Sequence, residues 1–179
     1  EAAIAKDLGI SRTPVGEAIR QLADEGLVEQ VPRYGTIVRR IERRELAELY
    51  EMREALESYS AARAAERISQ HQTEDLDRYC AALDQIGRQA RENDLTELDE
   101  SLLNKFLAAD MAFHLLIIQA TGNSRIMKVV RSTRTIARIF HTRREPHNLA
   151  VVEGAFRYHT QILEALRRGD AEEARRITE

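Results

Sequence analysis

The sequence predicts a mainly α-helical protein in which an N-terminal winged helix-turn-helix precedes an antiparallel all-α bundle. Three observations carry this prediction. Glycine and proline are concentrated in the first 40 residues, at Pro14, Gly16, Gly26, Pro32 and Gly35. From residue 45 onward apolar residues recur at helical spacing, and no segment alternates convincingly as a strand does. Short breaks, such as 121–123 and 168–170, suit antiparallel neighbours in a bundle, and at the first of them Gly122 can end one helix and Asn123 can cap the next.

Composition narrows the class of protein. The chain has 179 residues, 43% hydrophobic and 32% charged, which suits one moderate domain or two small ones and excludes a disordered or fibrous protein. The single cysteine, Cys80, excludes an internal disulfide and favours a reducing compartment. No apolar run approaches the roughly 20 residues of a membrane helix, so we expect a soluble protein with no membrane partner. The net charge of -3 neither favours nor excludes a polyanionic partner, so the positions of the basic residues along the chain have to decide.

The first 22 residues show a pattern typical of a helix-turn-helix. A short helix ends at Gly9, whose positive φ permits the turn, and Ser11 can cap a second helix that tolerates Pro14 in its first turn. Val15, Ala18, Ile19 and Leu22 are predicted to face inward. The outer face then presents Arg12, Thr13, Gly16 and Arg20, as a recognition helix presents side chains to bases and phosphates.

A predicted wing follows. Two β-prone runs between Gly26 and Val38 flank a turn whose tip offers Arg33, Tyr34 and Gly35, which suit the sugar-phosphate wall or the minor groove. Winged helices also serve as protein adaptors, but arginines and small polar residues on the exposed face favour DNA. We therefore predict DNA contacts from Ser11, Arg12, Thr13, Gly16, Arg20, Arg33, Tyr34 and Gly35. The predicted domains are 1–38 for DNA binding, 39–44 as a charged linker and 45–179 as the bundle.

Within the bundle, helical patterns lie near 45–68, 74–92, 97–120, 124–144 and 150–168, and another starts at Asp170. Asp110 and His114 sit four residues apart on one apolar stripe, and His159 sits on a later one. A carboxylate and an imidazole one turn apart can meet a single cation. A histidine on an apolar stripe is also commonly a hydrogen-bonded core residue, so the pattern alone leaves both interpretations open.

Three further polar residues lie on or beside apolar stripes. Arg53 needs an inward partner, and an ion pair with Glu57, four residues on, is favoured over contact with a ligand. The alternative is an anionic effector, such as a small carboxylate, that bridges a metal and the guanidinium. Thr133 could line the same cavity, with Arg134 at its edge.

Two segments resemble known domains. Residues 4–15, with Glu17-Ala18-Ile19, Leu22 and Glu25-Gly26-Leu27-Val28, closely resemble the winged helix of GntR-type bacterial transcription regulators. Family members usually carry a base-contacting arginine where this chain has Gly16, so we expect its operator sequence or affinity to differ. The family's leading helix is missing, which implies an N-terminal truncation. Arg53, Leu56-Glu57, Asp110-x-x-x-His114 before Thr121-Gly122-Asn123, and His159 ahead of residues 162–171 resemble the FCD effector domain of the FadR subfamily.

These resemblances imply a ligand-responsive, cytoplasmic, nucleoid-associated regulator that binds palindromic operator DNA as a homodimer, as a repressor released by a small carboxylate. In metal-binding members the ion takes one Asp and three His. The resemblance therefore assigns Asp110, His114 and His159 to zinc, nickel or manganese and places a fourth ligand beyond Glu179. Two alternatives remain: a helical metalloenzyme with a vestigial winged helix, for which no further inward general base is found, and an adaptor without a ligand.

Overall fold

The computed structural model describes residues 1–141 and 147–179, apart from the side chains of Arg138 and His141, and divides into two compact units, Glu1–Leu46 and Ala47–Glu179. The first unit contains α1 (Ala2–Leu8), α2 (Arg12–Asp24), β1 (Val28–Val31) and β2 (Gly35–Val38). Helix α3 (Arg43–Ala65) begins in the first unit and continues in the second. The remaining helices are α4 (Gln70–Glu92), α5 (Glu100–Ala120), α6 (Ser124–His141), α7 (Leu149–Arg167) and α8 (Ala171–Thr178). The mainly α fold with a wing is confirmed.

The helix-turn-helix closes around a small core. Gly9 ends α1 with φ 65°, as predicted, and Ala5, Val15 and Ile19 are buried together. Ser11 occupies the N-cap position of α2, but its hydroxyl accepts no cap hydrogen bond. Ala18 and Leu22, predicted to face inward, are exposed. In this unit the main contacts of α2 are with α1 and β1, and it buries a narrower stripe than the sequence indicates.

The wing is a two-stranded antiparallel hairpin, with Val28 opposite Val38 and Val31 opposite Gly35. Its tip is the three-residue loop 32–34. Arg33 adopts the left-handed conformation there (φ 68°), and the Tyr34 N–H donates to the Val31 carbonyl at 3.1 Å. This turn leaves both tip side chains exposed.

The segment predicted as a charged linker has defined structure. The Arg39 N–H donates to the Leu27 carbonyl, and its guanidinium donates to the Gly26 carbonyl at 3.1 Å and to Glu45 at 2.8 Å. Ile41 is buried, and α3 starts at Arg43 rather than at residue 45. Residues 39–44 are therefore tied to the winged helix at one end and helical at the other.

In the second unit α4 packs against α5 and α7, α6 packs on α5, and α8 packs on α7. The core centres on Phe113, with Leu76, Ile162 and Leu166 also fully buried. Each such side chain contributes about 1.5–3 kcal/mol through its burial. α3 adds only small side chains to this core, among them Ala61 and Ala64.

Helix ends follow the predicted turn chemistry. Gly122 follows α5 with φ 72°, and the Asn123 Oδ1 accepts from the N–H groups of Arg125 and Ile126 at the start of α6. Both roles were predicted. Asp170 likewise caps α8 by accepting from the Glu173 N–H at 3.0 Å. These caps fix the starts of α6 and α8, the helices that follow α5 and α7 in the chain.

By length and composition, α5 is the one helix among residues 1–141 and 147–179 that could cross a membrane. The expectation that no apolar run approaches that length is therefore wrong for this helix. Its apolar face packs inside the bundle, where Phe106, Phe113 and Ile117 are buried. A buried core helix passes the same test, so the finding is weak evidence for a membrane span.

Candidate functional site

The three predicted metal ligands lie around one point. Asp110 and His114 come from α5 and His159 from α7. Their facing atoms are separated by 3.1 Å (His114 Nε2 to His159 Nε2), 3.3 Å (His159 Nε2 to Asp110 Oδ1) and 3.7 Å (His114 Nε2 to Asp110 Oδ1). The ring of Phe113 stacks on His159 with centroids 4.2 Å apart. Both histidines are buried, whereas Asp110, predicted to face the interior, keeps 31% of its side chain exposed.

These distances fit a cation. Ligands at about 2.0–2.2 Å from a tetrahedral or octahedral ion lie roughly 3.0–3.5 Å from one another. The observed spacings need only small side-chain adjustments to meet that range. Two imidazole nitrogens and one carboxylate oxygen favour a divalent ion of the zinc, nickel or manganese type.

Glu57 on α3 orients one of these ligands. Its Oε2 accepts from the Nδ1–H of His114 at 3.1 Å, which places the proton on Nδ1 and leaves the Nε2 lone pair toward the cluster. Glu57 also accepts from the Nε of Arg53 at 2.9 Å, so the predicted Arg53–Glu57 ion pair is confirmed. The sequence did not indicate that His114 shares this carboxylate.

Arg134 on α6 lies at the centre of the site, with 5% of its surface exposed. It donates to both oxygens of Glu57, through Nε at 3.0 Å and through Nη2, and to Asp110 Oδ2 through Nη1 at 3.1 Å. The prediction that it sits at the cavity edge is wrong, because Arg134 shares the inward face of α6 with the buried Val130 and Ala137.

Thr133 was predicted to line the cavity and does not. Its hydroxyl donates to the carbonyls of Val129 and Val130, both at 3.0 Å, and it is not among the lining residues. The hydrogen-bonding capacity of this buried residue is met inside its own helix, so nothing directs it to a ligand.

Burial and charge set the protonation of the site. Burial opposes ionisation of Glu57, but the hydrogen bond from His114 and the charge of Arg134 outweigh it and hold the pKa of Glu57 well below its usual range. Burial likewise opposes ionisation of Asp110, yet the hydrogen bond from His159 and the charge of Arg134 lower its pKa. Burial, with the Arg134 charge, lowers the pKa of His114 to about 4. At neutral pH the carboxylates are thus ionised and His114 is neutral, as metal ligands must be.

His159 has a buried ring nitrogen, Nδ1, that makes no hydrogen bond to the described residues. An unsatisfied buried polar atom costs about 1–3 kcal/mol of folding free energy. The contact with Phe113 and the contacts of Nε2 offset this cost and keep the ring in place. A buried polar group retained at a cost marks a position that packing alone does not explain.

A cavity of about 340 Å³ opens onto the cluster, lined by the three ligands together with Arg53, Glu57, Arg134 and Tyr158, among others. Sequence reasoning did not single out Tyr158. Outside the cluster, His71 is exposed, whereas His147 packs edge-on against Phe106 at 5.7 Å. The side chain of His141 lies outside the described residues.

The predicted DNA-contacting residues are placed as follows. On α2, Arg12, Thr13 and Arg20 are exposed, as is Ser11 before it, and Gly16 is half-buried. On the wing, Arg33, Tyr34 and Gly35 are exposed. The side chains available to a nucleic acid in this unit therefore include three arginines and an aromatic ring.

Comparison with known proteins identifies both units. Residues 1–38 match the bacterial regulatory proteins of the gntR family, and residues 48–179 match the FCD domain. An uncharacterized HTH-type transcriptional regulator of Streptomyces ambofaciens is 29% identical over 98% of this chain and 68% of its own. The HTH-type transcriptional repressor RspR of Escherichia coli is 26% identical over 98% and 72%. The structure of E. coli McbR/YncC, at 21% identity, has a TM-score of 0.79 over 98% of this chain and 78% of that one. The chain spans from 51% to 81% of the length of curated relatives.

Proposed function

This chain belongs to the GntR family of bacterial transcription regulators and carries an FCD domain, and from that premise we propose that its helical unit senses a small anionic effector at a divalent metal. The matched families and relatives are transcription regulators rather than enzymes, so the metalloenzyme alternative loses its support. The observation that carries the proposal is the convergence of Asp110, His114 and His159 beside two arginines.

For the N-terminal unit we propose operator contacts from the eight residues predicted above, Gly16 through its backbone, with 1–38 as the DNA-binding domain. Arginines at the start of a recognition helix and at a wing tip suit phosphate and base contacts. One such unit covers few base pairs, so we propose that a homodimer reads a palindromic operator in the bacterial cytoplasm. RspR and a probable D-xylose operon regulator of Paenarthrobacter nicotinovorans are named repressors, which favours repression here.

The metal would be held by Asp110 Oδ1, His114 Nε2 and His159 Nε2. A bound divalent ion supplies positive charge and open coordination positions for an anion. Glu57 keeps His114 in the required tautomer, and Arg134 holds the second oxygen of Asp110.

Charge explains why the effector should be anionic. Without a metal, Glu57 and Asp110 are balanced by Arg53 and Arg134, and the neutral His114 adds no charge. Two exposed carboxylates, Glu54 and Glu179, also line the cavity, so the positive charge of a divalent ion would act at the inner end, beside Asp110 and the two histidines, and there it favours a carboxylate. Metal and effector should therefore bind with positive coupling, each raising the affinity of the other by the same factor.

Effector binding alters operator affinity only if it favours one arrangement of the protein over another. Helix α3 carries Arg53 and Glu57 and is continuous from Arg43, so it joins the sensing site to the DNA-binding unit covalently. We propose that a change at these two side chains is transmitted along this helix.

The test combines metal analysis with DNA binding. Elemental analysis and native mass spectrometry of the protein should report stoichiometric metal and an even subunit number, and gel-shift titration on its own promoter should respond to candidate carboxylates. Metal-free protein after purification in zinc-supplemented buffer would overturn the metal assignment. Absence of any shift at low salt would overturn DNA binding.

A further inference from the structure

We infer that the effector carries an apolar body beside its anionic group, and that this body lies in a second cavity next to the first. The inference rests on the proposed function. The second cavity, here called the apolar lobe, measures about 210 Å³ and shares Tyr50, Arg53, Asp110 and Arg134 with the metal-facing cavity. A ligand bound at Arg53 can therefore extend in two directions, toward the Asp-His-His cluster or into the apolar lobe.

The walls of the lobe are mostly hydrocarbon. Phe106, Leu107 and Met111 line it from α5, and Ala137 lines it from α6. Phe106 and Ala137 are buried, and the other two are half-buried. Apart from the shared residues, the polar side chain of the lining is His147. Against these apolar side chains water has few hydrogen-bond partners, so an apolar group that displaces it there gains free energy.

The shared wall supplies the anionic end of the ligand site. All three nitrogens of Arg134 already donate to Glu57 or Asp110. Arg53 is bonded through Nε to Glu57 and lies 5.1 Å from the centroid of the Tyr50 ring. Among the hydrogen bonds of the described residues its two terminal nitrogens have no acceptor, so Arg53 has four N–H donors available for a carboxylate, against two on Arg134.

The arrangement selects for a class of ligand. A carboxylate at Arg53 and the metal, with a short aliphatic or aromatic group in the lobe, satisfies both surfaces. A polyhydroxylated acid of similar size would bury hydroxyls against Phe106, Leu107 and Met111 without partners, which weakens binding. At about 210 Å³ the lobe has room for a short chain.

A chain-length series tests this inference. The zinc-loaded protein is titrated by ¹H–¹⁵N NMR with straight-chain carboxylates from acetate to octanoate, and with gluconate as the polar counterpart. The Kd is expected to fall about fourfold per methylene group until the lobe is filled and then to level off. Gluconate should bind no more tightly than acetate.

Two variants locate the effect. Ala137→Leu fills part of the lobe from α6 and should abolish the chain-length dependence while acetate still binds. Ala62→Leu, at a half-buried alanine of α3 that lines neither cavity, should keep the series unchanged. If Ala137→Leu still binds acetate, the metal-anion site of this variant is intact. If Ala137→Leu does not fold, Met111→Phe is used to narrow the lobe instead.

The outcomes separate the two proposals. If affinity is independent of chain length while acetate binds, the apolar lobe is overturned and the metal-anion site stands. If chain-length dependence persists in a folded lobe variant, the body lies elsewhere and this inference is overturned. If no carboxylate binds the zinc-loaded protein, acetate included, the proposed effector site itself is overturned.

Discussion

Replacing Arg134 with methionine should strongly destabilise the metal-free protein. The variant keeps an apolar stem but leaves Glu57 and Asp110 without their common cation. At about 4 Å and an effective dielectric constant near 20, each lost attraction is worth about 4 kcal/mol before desolvation is considered. Breaking one side of a buried ion pair costs about 3–5 kcal/mol in practice, and Arg53 still pairs with Glu57. We therefore expect a loss near 3 kcal/mol, at the lower end of that range.

Urea unfolding followed by far-UV circular dichroism, in EDTA at pH 7, measures this loss. The matched control is Arg167→Met, which breaks an ion pair with Asp77 in which both side chains are nearly half exposed, and should cost less than about 1 kcal/mol. Arg134→Lys keeps the charge without the planar fork and should fall between the two. Equal losses for Arg134→Met and the control would refute the argument that a buried charge network holds the site.

Three further outcomes follow from the same geometry. His114→Ala should lose stoichiometric metal by elemental analysis, whereas His71→Ala, whose side chain is 76% exposed, should keep it. Burial and the Arg134 charge lower the pKa of His114 to about 4, below its unfolded value of 6.5, so the unfolded chain binds the extra proton between these values. The stability of the metal-free protein should thus fall by up to about 3 kcal/mol as pH drops from 6.5 to 4, and less in His114→Asn. Arg12→Ala should weaken operator binding and reduce its salt slope by about one, while Arg78→Ala on α4 should change neither; an unchanged slope would exclude a phosphate contact from Arg12.

Helical periodicity was sufficient to identify the three side chains that converge in the structure. Asp110 and His114 share a helix face by their spacing alone, and the apolar stripe of α7 marks His159 as an inward residue. The caps at Gly122, Asn123 and Asp170 were readable because each depends on the local backbone. The sequence could thus predict which side chains enter the bundle, although the distances between atoms on α5 and α7 depend on packing that only the fold supplies.

The sequence could not show which of Thr133 and Arg134 contacts the site. Neighbouring residues on a helix point about 100° apart, and both side chains are buried. The choice depends on what faces them: backbone carbonyls of α6 satisfy Thr133, whereas Arg134 meets a carboxylate 77 positions away in the chain. The sequence identified Glu57 as the partner of Arg53 because the two residues are four apart on one helix. The contacts of Glu57 with His114 and Arg134 join distant parts of the chain and could not be predicted in this way.

The two oxygens of Asp110 have different partners, and this explains how one ion can influence several helices. Oδ1 faces the two histidines, while Oδ2 accepts from Arg134. Arg134 binds Glu57, which in turn accepts from His114, so side chains of α3, α5, α6 and α7 form one connected network. The main packing of α6 is on α5, and the Arg134–Glu57 pair links it to α3 as well. Under the proposed function, a cation bound at Asp110 would draw charge from it and leave more of the Arg134 charge to Glu57, and it would thereby strengthen the contact with the helix that continues toward the DNA-binding unit.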